Sequence, residues 1–297
     1  LFSLPTRDRP MTSDNAQISP DSLELLPDAT SASSAVVEGE VIGVADELDF
    51  SQYRGRTAPR IWTRPLRPLT RDATRGYEFA EWAEERAYRL DRWEFWLAVH
   101  ALELLPDGRP RFRRVVIIVA RQNGKTLFVK LLILWWAYVD SRLQVLMTST
   151  NLGYARKAWL AVAEMTGAEV SLPIGVRPLE GIQPAAIRQA NGQEQMTAPA
   201  YWPGVPWKRT EVRGGGTFMV AATKGDGAGR SLTIDRLVMD EVREHRTWDA
   251  YNAAKHAQNA VPGAQAFFVS NMGGAEAVVL TALRTSALTG KDRRLCL

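Results

Sequence analysis

Cysteine is nearly absent. The 297 residues hold one, Cys296, beside three histidines, His100, His245 and His256. A single thiol excludes an internal disulfide framework and a cysteine-built zinc site, and the histidines lack a metal-ligand spacing with one another. That usage fits a reducing, cytosolic setting. No uninterrupted apolar run reaches the ~20 residues a membrane span requires, and the N-terminus lacks the basic-then-apolar pattern of a secretory signal. Aromatics are missing between Phe2 and Phe50, and residues 11–50 carry nine acids without a Lys or Arg. Such a stretch cannot bury enough surface to offset ordering entropy, so residues 1–50 are expected to be an acidic, disordered segment outside the working domain. The first residue is Leu1, and Met11 reads as a truer start.

What remains is ordinary in composition and basic in balance. Hydrophobic content of 45% and charged content of 24% suit a globular chain. The net charge of +4 hides an asymmetry, because residues 51–297 alone carry 35 basic and 23 acidic side chains. A basic body suits a polyanionic partner, and it serves solubility equally well. Residues 51–76 form a basic arm with Arg54, Arg56, Arg60, Arg64, Arg67, Arg71 and Arg75, broken by Pro59, Pro65 and Pro68. With Tyr53 and Trp62 it could track a phosphate backbone, or it could wrap an acidic surface of its own domain.

The chain is organised around residues 113–138. The run Val115-Val116-Ile117-Ile118-Val119 is short, β-branched and bounded by paired arginines, as a strand buried on both faces would be. The loop Ala120-Arg121-Gln122-Asn123-Gly124-Lys125-Thr126 follows, and then a helical pattern placing Leu127, Phe128, Leu131, Leu132 and Trp135 on one side. Strand, Gly-Lys-Thr loop and helix make a phosphate cradle, in which amides and lysine meet phosphate oxygens and the hydroxyl holds magnesium. The common pattern begins with a glycine; Val119 stands in that place, and Arg121 sits inside the loop. The bland reading is a helix N-terminus with a solvated lysine.

Helical patterns also cover residues 74–103 in two pieces, with Asp91 a candidate N-cap for the second. Trp93 and Trp96 there read as core or as ligand contacts. Residues 144–150 read as a second buried strand and 154–166 as a helix apolar at Ala158, Leu160, Ala161, Val162 and Met165. Residues 170–213, rich in proline and carrying Asn191-Gly192, read as hairpins or inserted loops. A strand at 217–223 follows, then a glycine-rich loop, 224–230.

Leu237-Val238-Met239-Asp240-Glu241 is the second strong signal. A buried strand ending in an acid pair delivers both carboxylates to the carboxyl edge of a sheet, where Asp240 can hold magnesium through water and Glu241 can polarise an attacking water. Ala266-Phe267-Phe268-Val269-Ser270-Asn271 reads as a further strand. It is expected beside the phosphate-loop strand, with Ser270 and Asn271 contacting a γ-phosphate or simply turning the chain. Strands alternating with helices predict an α/β fold: an open, mostly parallel sheet flanked by helices with ligands at its carboxyl edge. The expected class is a P-loop NTPase of the additional-strand, catalytic-glutamate type.

The Arg121-to-Thr126 loop, the Val238-to-Glu241 strand end and the Ser270-Asn271 strand end together resemble the large terminase subunit of tailed bacteriophages, over about residues 75–290. The resemblance implies an ATP-driven motor moving double-stranded DNA into a procapsid, with ATP and Mg2+ as cofactors. It also implies a homo-oligomeric ring on the portal, a small terminase subunit as partner, no membrane, and the cytoplasm of an infected bacterium as location. Arg121, Gln122, Asn123, Gly124, Lys125 and Thr126 would bind ATP, Thr126 and Asp240 the metal, and Glu241 the attacking water. Ser270 and Asn271 would couple the site to motion. Trp93 and Glu94 match the family's adenine-side motif, with Glu94 where glutamine is usual. Arg121 would sense the γ-phosphate in cis. Arg230 matches a loop from which some members complete a neighbouring subunit's site, with DNA contact as its alternative.

Family members usually continue into a nuclease domain of RNase H-like fold. Residues 77–290 are expected to be the ATPase domain alone, residues 291–297 an exposed linker remnant, and nuclease activity absent. On that expectation the chain is an excised domain, a truncated product or half of a split protein. Two other classes stay open: a helicase-like, nucleic-acid-stimulated ATPase outside packaging, and a non-catalytic assembly subunit with an inactive nucleotide site.

Overall fold

The computed structural model describes residues 59–149, 152–189, 194–201, 213–222, 233–289 and 295–296. All of them belong to one unit, residues 42–297. The expected disordered segment (1–50), the glycine-rich loop (224–230) and the Asn191-Gly192 turn lie outside the described residues.

In chain order the elements are α1 (Gly76–Glu84), α2 (Arg92–Ala101), β1 (Arg114–Ile118), α3 (Lys125–Val139), β2 (Gln144–Ser149) and α4 (Leu152–Met165). Four short strands follow, β3 (Ala186–Arg188), β4 (Gln195–Thr197), β5 (Ala200–Tyr201) and β6 (Arg213–Gly214), then β7 (Thr217–Ala222) and β8 (Arg236–Asp240). After a 3₁₀ turn, Val242–Glu244, come α5 (Asp249–Asn259), β9 (Gln265–Ser270), α6 (Val278–Leu288) and β10 (Leu295–Cys296).

The main sheet has eight strands in the order β10-β1-β9-β8-β2-β7-β4-β3, and β5 pairs with β6 separately. The six strands from β10 to β7 are parallel, and β4 and β3 close one edge as an antiparallel hairpin. The period-2 alternation of strands sorts side chains onto two faces. Val115, Ile117, Val145, Met147, Val238, Phe267 and Val269 join a core with α1 to α4. Val116, Leu146, Leu237, Met239, Ala266 and Phe268 join a second core with Tyr251 of α5 and Val279, Leu280 and Leu283 of α6. Helices therefore cover both faces, which explains why these strands read as unbroken apolar runs.

Helix α3 is buried nearly all round: Phe128, Leu131, Leu132, Ile133, Leu134, Trp135, Trp136 and Ala137 are each no more than 1% exposed. Leu127, expected on the buried side, is 38% exposed. It belongs to the first turn, level with the open loop rather than with the layers that sandwich the rest of the helix. Close approach elsewhere is made by glycine. A Cβ at Gly76 would lie 2.3 Å from the Val99 Cα, so α1 crosses α2 with backbone nearly on backbone.

Two arginines of the basic arm are bound to this domain itself. Arg71 pairs with Glu81 at 2.6 Å, and Arg75 reaches Asp140 at 2.6 Å while its guanidinium lies 4.3 Å from the Trp135 ring centroid. For these two the wrapping reading holds. Arg54 and Arg56 lie outside the described residues. At the other end Leu295 and Cys296 pair in parallel with Arg114 and Val115, so these two residues extend the sheet where an exposed linker is expected.

Candidate active site

The sheet order decides which loops meet. Strand β9 inserts between β1 and β8, in register Ile118↔Ser270 and Asp240↔Val269. The ends of β1, β8 and β9 thus share one carboxyl edge, and the loop after β1 opens onto it. Within that loop Gln122 and Gly124 take positive φ, 66° and 77°, a conformation that glycine adopts without strain. Residues 120 to 124 are exposed, as is Thr126.

Lys125 is the exception, only 9% exposed. Its Nζ lies 3.5 Å from Oδ1 of Asp240 and 3.5 Å from Oε1 of Glu241. Both are long for a charge-assisted contact, which is normally about 2.7–2.9 Å. The ammonium bridges two acids without closing on either. Burial pushes the Asp240 carboxyl above its ordinary range, and the Lys125 charge opposes that shift.

Glu241 itself is unusual. Its backbone is left-handed, φ 52° and ψ 47°, at the start of the 3₁₀ turn. A non-glycine residue pays for that conformation, and here local bonds hold it. The Glu241 N–H donates to Asp240 Oδ1 at 2.9 Å, and the Glu244 N–H donates to the Glu241 carbonyl at 2.9 Å.

Trp93 and Glu94 reach the same loop from α2. Asp91 and Glu94 form a capping box, with the Asp91 N–H donating to Glu94 Oε2 at 3.0 Å. The other oxygen, Oε1, faces the loop: a Cβ built at Gly124 would meet it at 2.8 Å and Trp93 at 3.7 Å. Burial raises the Glu94 carboxyl to about 7. Trp96 lies in an aromatic cluster, stacked at 3.7 Å on His100 and met edge-on by Trp62.

Ser270 ends β9 beside the acid pair, and Asn271 follows it. The Val119 N–H donates to the Ser270 carbonyl at 3.1 Å, tying the phosphate-loop strand to β9. Asn271 is 8% exposed and its Oδ1 has no hydrogen-bond partner among the described residues.

The structure of the HK97 bacteriophage large terminase aligns with 75% of this chain at a TM-score of 0.57 and 17% identity. This chain has the large-terminase fold. The aligned part spans 43% of the HK97 protein, so this chain spans under half the length of that terminase. The Thermus phage P74-26 large terminase ATPase domain aligns at TM-score 0.42 and 15% identity, covering 64% of this chain and 68% of that one. The Phi-28 gp11 DNA packaging motor aligns at TM-score 0.37 and 12% identity, covering 62% and 55%. No protein-family model matches the sequence, and no curated protein matches it.

Within the terminase fold, the structure brings together Lys125, Asp240, Glu241, Ser270 and Asn271, with Gly124, Trp93 and Glu94 adjoining. Arg121 and Asn123 stay on the exposed loop, where Asn123 Nδ2 donates to the Ala120 carbonyl at 3.3 Å. Arg230 lies outside the described residues. Two residues were not singled out from sequence. Arg243 Nε lies 3.0 Å from Glu241 Oε2. His245 is 5% exposed, bonded to the Asp240 backbone, with its pKa lowered by burial and its Nε2 without a partner among the described residues. A basic residue two places after the acid pair was the available signal for Arg243.

The donor set suits a magnesium-bound triphosphate. The loop residues are exposed, Lys125 is closed on neither acid, and Thr126 and Asp240 supply hard oxygens, the ligands magnesium prefers. Among the described residues no three His, Cys, Asp or Glu side chains gather as a metal cluster. Magnesium needs none, since it takes one or two carboxylates and completes its shell with water and phosphate.

Proposed function

We propose that this chain hydrolyses ATP, with magnesium, to drive double-stranded DNA into a phage procapsid. The observation that carries the reading is the placement of Lys125 between Asp240 and Glu241 at one sheet edge, in a chain with the large-terminase fold. Lys125 and the loop amides neutralise phosphate charge as it develops, the kind of preorganised stabilisation that dominates phosphoryl transfer. Thr126 and Asp240 are the residues that would hold magnesium, which when bound supplies charge neutralisation at the β- and γ-phosphate oxygens. Glu241 orients a water for in-line attack and accepts its proton. Arg121 senses the γ-phosphate from the loop, and Ser270 and Asn271 report the site's state through β9. Trp93 and Glu94 border the base side.

In this reading the working form is a homo-oligomeric ring on the portal, served by a small terminase subunit in the cytoplasm of the infected bacterium, and Arg230 completes a neighbour's site. The chain itself carries the ATPase function. The test is ATP turnover with magnesium, measured with and without double-stranded DNA. Stimulation by DNA is expected, together with a rise in specific activity with protein concentration that Arg230→Ala removes. Turnover indifferent to DNA contradicts the motor reading.

A further inference from the structure

The hold on Glu241 is divided between two cations. Oε1 faces Lys125 Nζ at 3.5 Å, while Oε2 faces Arg243 Nε at 3.0 Å. The second contact is the closer of the two and is set by the fold. The Arg243 N–H donates to Ser270 Oγ at 3.1 Å, which fastens the 3₁₀ turn to the end of β9. The chain leaving β9 then packs against the same residue, because a Cβ at Gly273 would lie 3.0 Å from the Arg243 Cβ and 2.3 Å from that of Ala277. Arg243 Nε also approaches Glu244 Oε1 at 3.2 Å, so the guanidinium has an alternative carboxylate within reach. The left-handed backbone of Glu241 sets the direction in which its side chain leaves the chain. One residue therefore touches the carboxylate through its side chain and the β9 end through its backbone.

We propose that Arg243 is the positioning residue for Glu241: it fixes the carboxylate that orients the attacking water, and it links that carboxylate to Ser270 and Gly273 at the end of β9. This rests on the ATP-hydrolysis reading. When Lys125 turns to phosphate, Oε1 of Glu241 loses its cation and is free to accept from water, while Oε2 stays held by Arg243. A shift of the β9 end moves the Arg243 backbone and can pass its guanidinium from Glu241 to Glu244, which would release the water-orienting carboxylate.

The experiment compares the parent chain with Arg243→Ala, Arg243→Lys, Lys125→Ala, Glu241→Gln and the Arg243→Ala/Glu241→Gln double variant. Two quantities are read: steady-state ATP hydrolysis, and the affinities for ADP and for ADP with aluminium fluoride, which needs no turnover. Misplacing a reacting group by about 1 Å costs on the order of 100-fold. Arg243→Ala should accordingly lower kcat by about 10- to 100-fold while KM stays within about 3-fold. It should weaken the fluoroaluminate complex by a similar factor and leave ADP affinity unchanged. Arg243→Lys, which keeps the charge, should recover part of the loss. The double variant should be no slower than Glu241→Gln. Unchanged kcat and fluoroaluminate affinity in Arg243→Ala, or equal loss of ADP affinity, overturns the proposal alone. A parent chain that binds ADP no better than Lys125→Ala overturns the ATPase reading, and the proposal with it.

Discussion

The carboxylate of Glu94 occupies the space into which a side chain at Gly124 would grow: its Oε1 is 2.8 Å from the position a Cβ would take. The first turn of α2 thereby backs the phosphate loop, and the two residues constrain each other.

Glu94 makes stability depend on pH. Its carboxyl is raised from 4.5 to about 7 by burial. A folded-state value above the unfolded one means that the native protein binds the proton more tightly. The stabilisation is thus complete below about pH 4.5 and is lost as pH rises through about 7. At 1.36 kcal/mol per unit the total reaches about 3 kcal/mol. Glu94→Gln keeps an acceptor for the Asp91 N–H and removes the titration. Thermal melts should show the variant level with the parent near pH 4 and more stable by up to about 3 kcal/mol at pH 8. Parallel curves for the two proteins across this range would contradict the assignment.

Gly124→Ala should damage both fold and binding. Its φ of +77° costs an L-residue roughly 1–2 kcal/mol, and the new methyl must displace the buried Glu94 carboxylate. A lower melting temperature and a weaker nucleotide affinity are expected together. Pairing it with Glu94→Ala should return part of the stability, because the clash is then gone while the strain remains. A double variant no more stable than Gly124→Ala would show that Glu94 is not the obstacle.

Gly76→Ala tests the packing of α1 on α2 away from the site. The obstructing atoms there are backbone, 2.3 Å from the new Cβ, so no rotamer change relieves the overlap. Overpacking of this kind costs about 1–3 kcal/mol. Denaturant melts should record that loss, with nucleotide affinity of the folded fraction unchanged.

How much of this is legible in the sequence follows the range of the interactions. The strand at Val115–Ile118, the Gly-Lys-Thr loop and the strand ending in Asp240 announce themselves because burial on both faces leaves contiguous apolar runs with abrupt polar ends. The capping role of Asp91 is equally local. The same burial erases the face of α3: with apolar residues on every side there is no period to follow, and Leu127 was placed with the core although it is exposed. Sheet order is non-local, so the expectation that β9 lies beside β1 comes from the ATPase type and not from spacing, and its pairing with β8 on the other side is visible only in the structure. The left-handed backbone of Glu241 has no signature in residue type, since it is held by bonds to Asp240 and Glu244, and of its contact with Arg243 only the basic residue type after the acid pair is visible in the sequence. The β3–β4 hairpin falls in the region read as hairpins or inserted loops, but its strands, three residues each, are too short for a pattern that fixes their bounds.

The central claim is that Lys125 marks a nucleotide site. The direct measurement is the affinity of a fluorescent ATP analogue, with magnesium, for the parent chain and for Lys125→Ala. Hydrogen bonds to charged groups contribute about 1.5–3 kcal/mol each. Lys125→Ala should then bind about 10- to 150-fold more weakly, while melting within a few degrees of the parent. Equal affinities in two folded proteins would mean that the loop is a solvated helix start and that the site lies elsewhere.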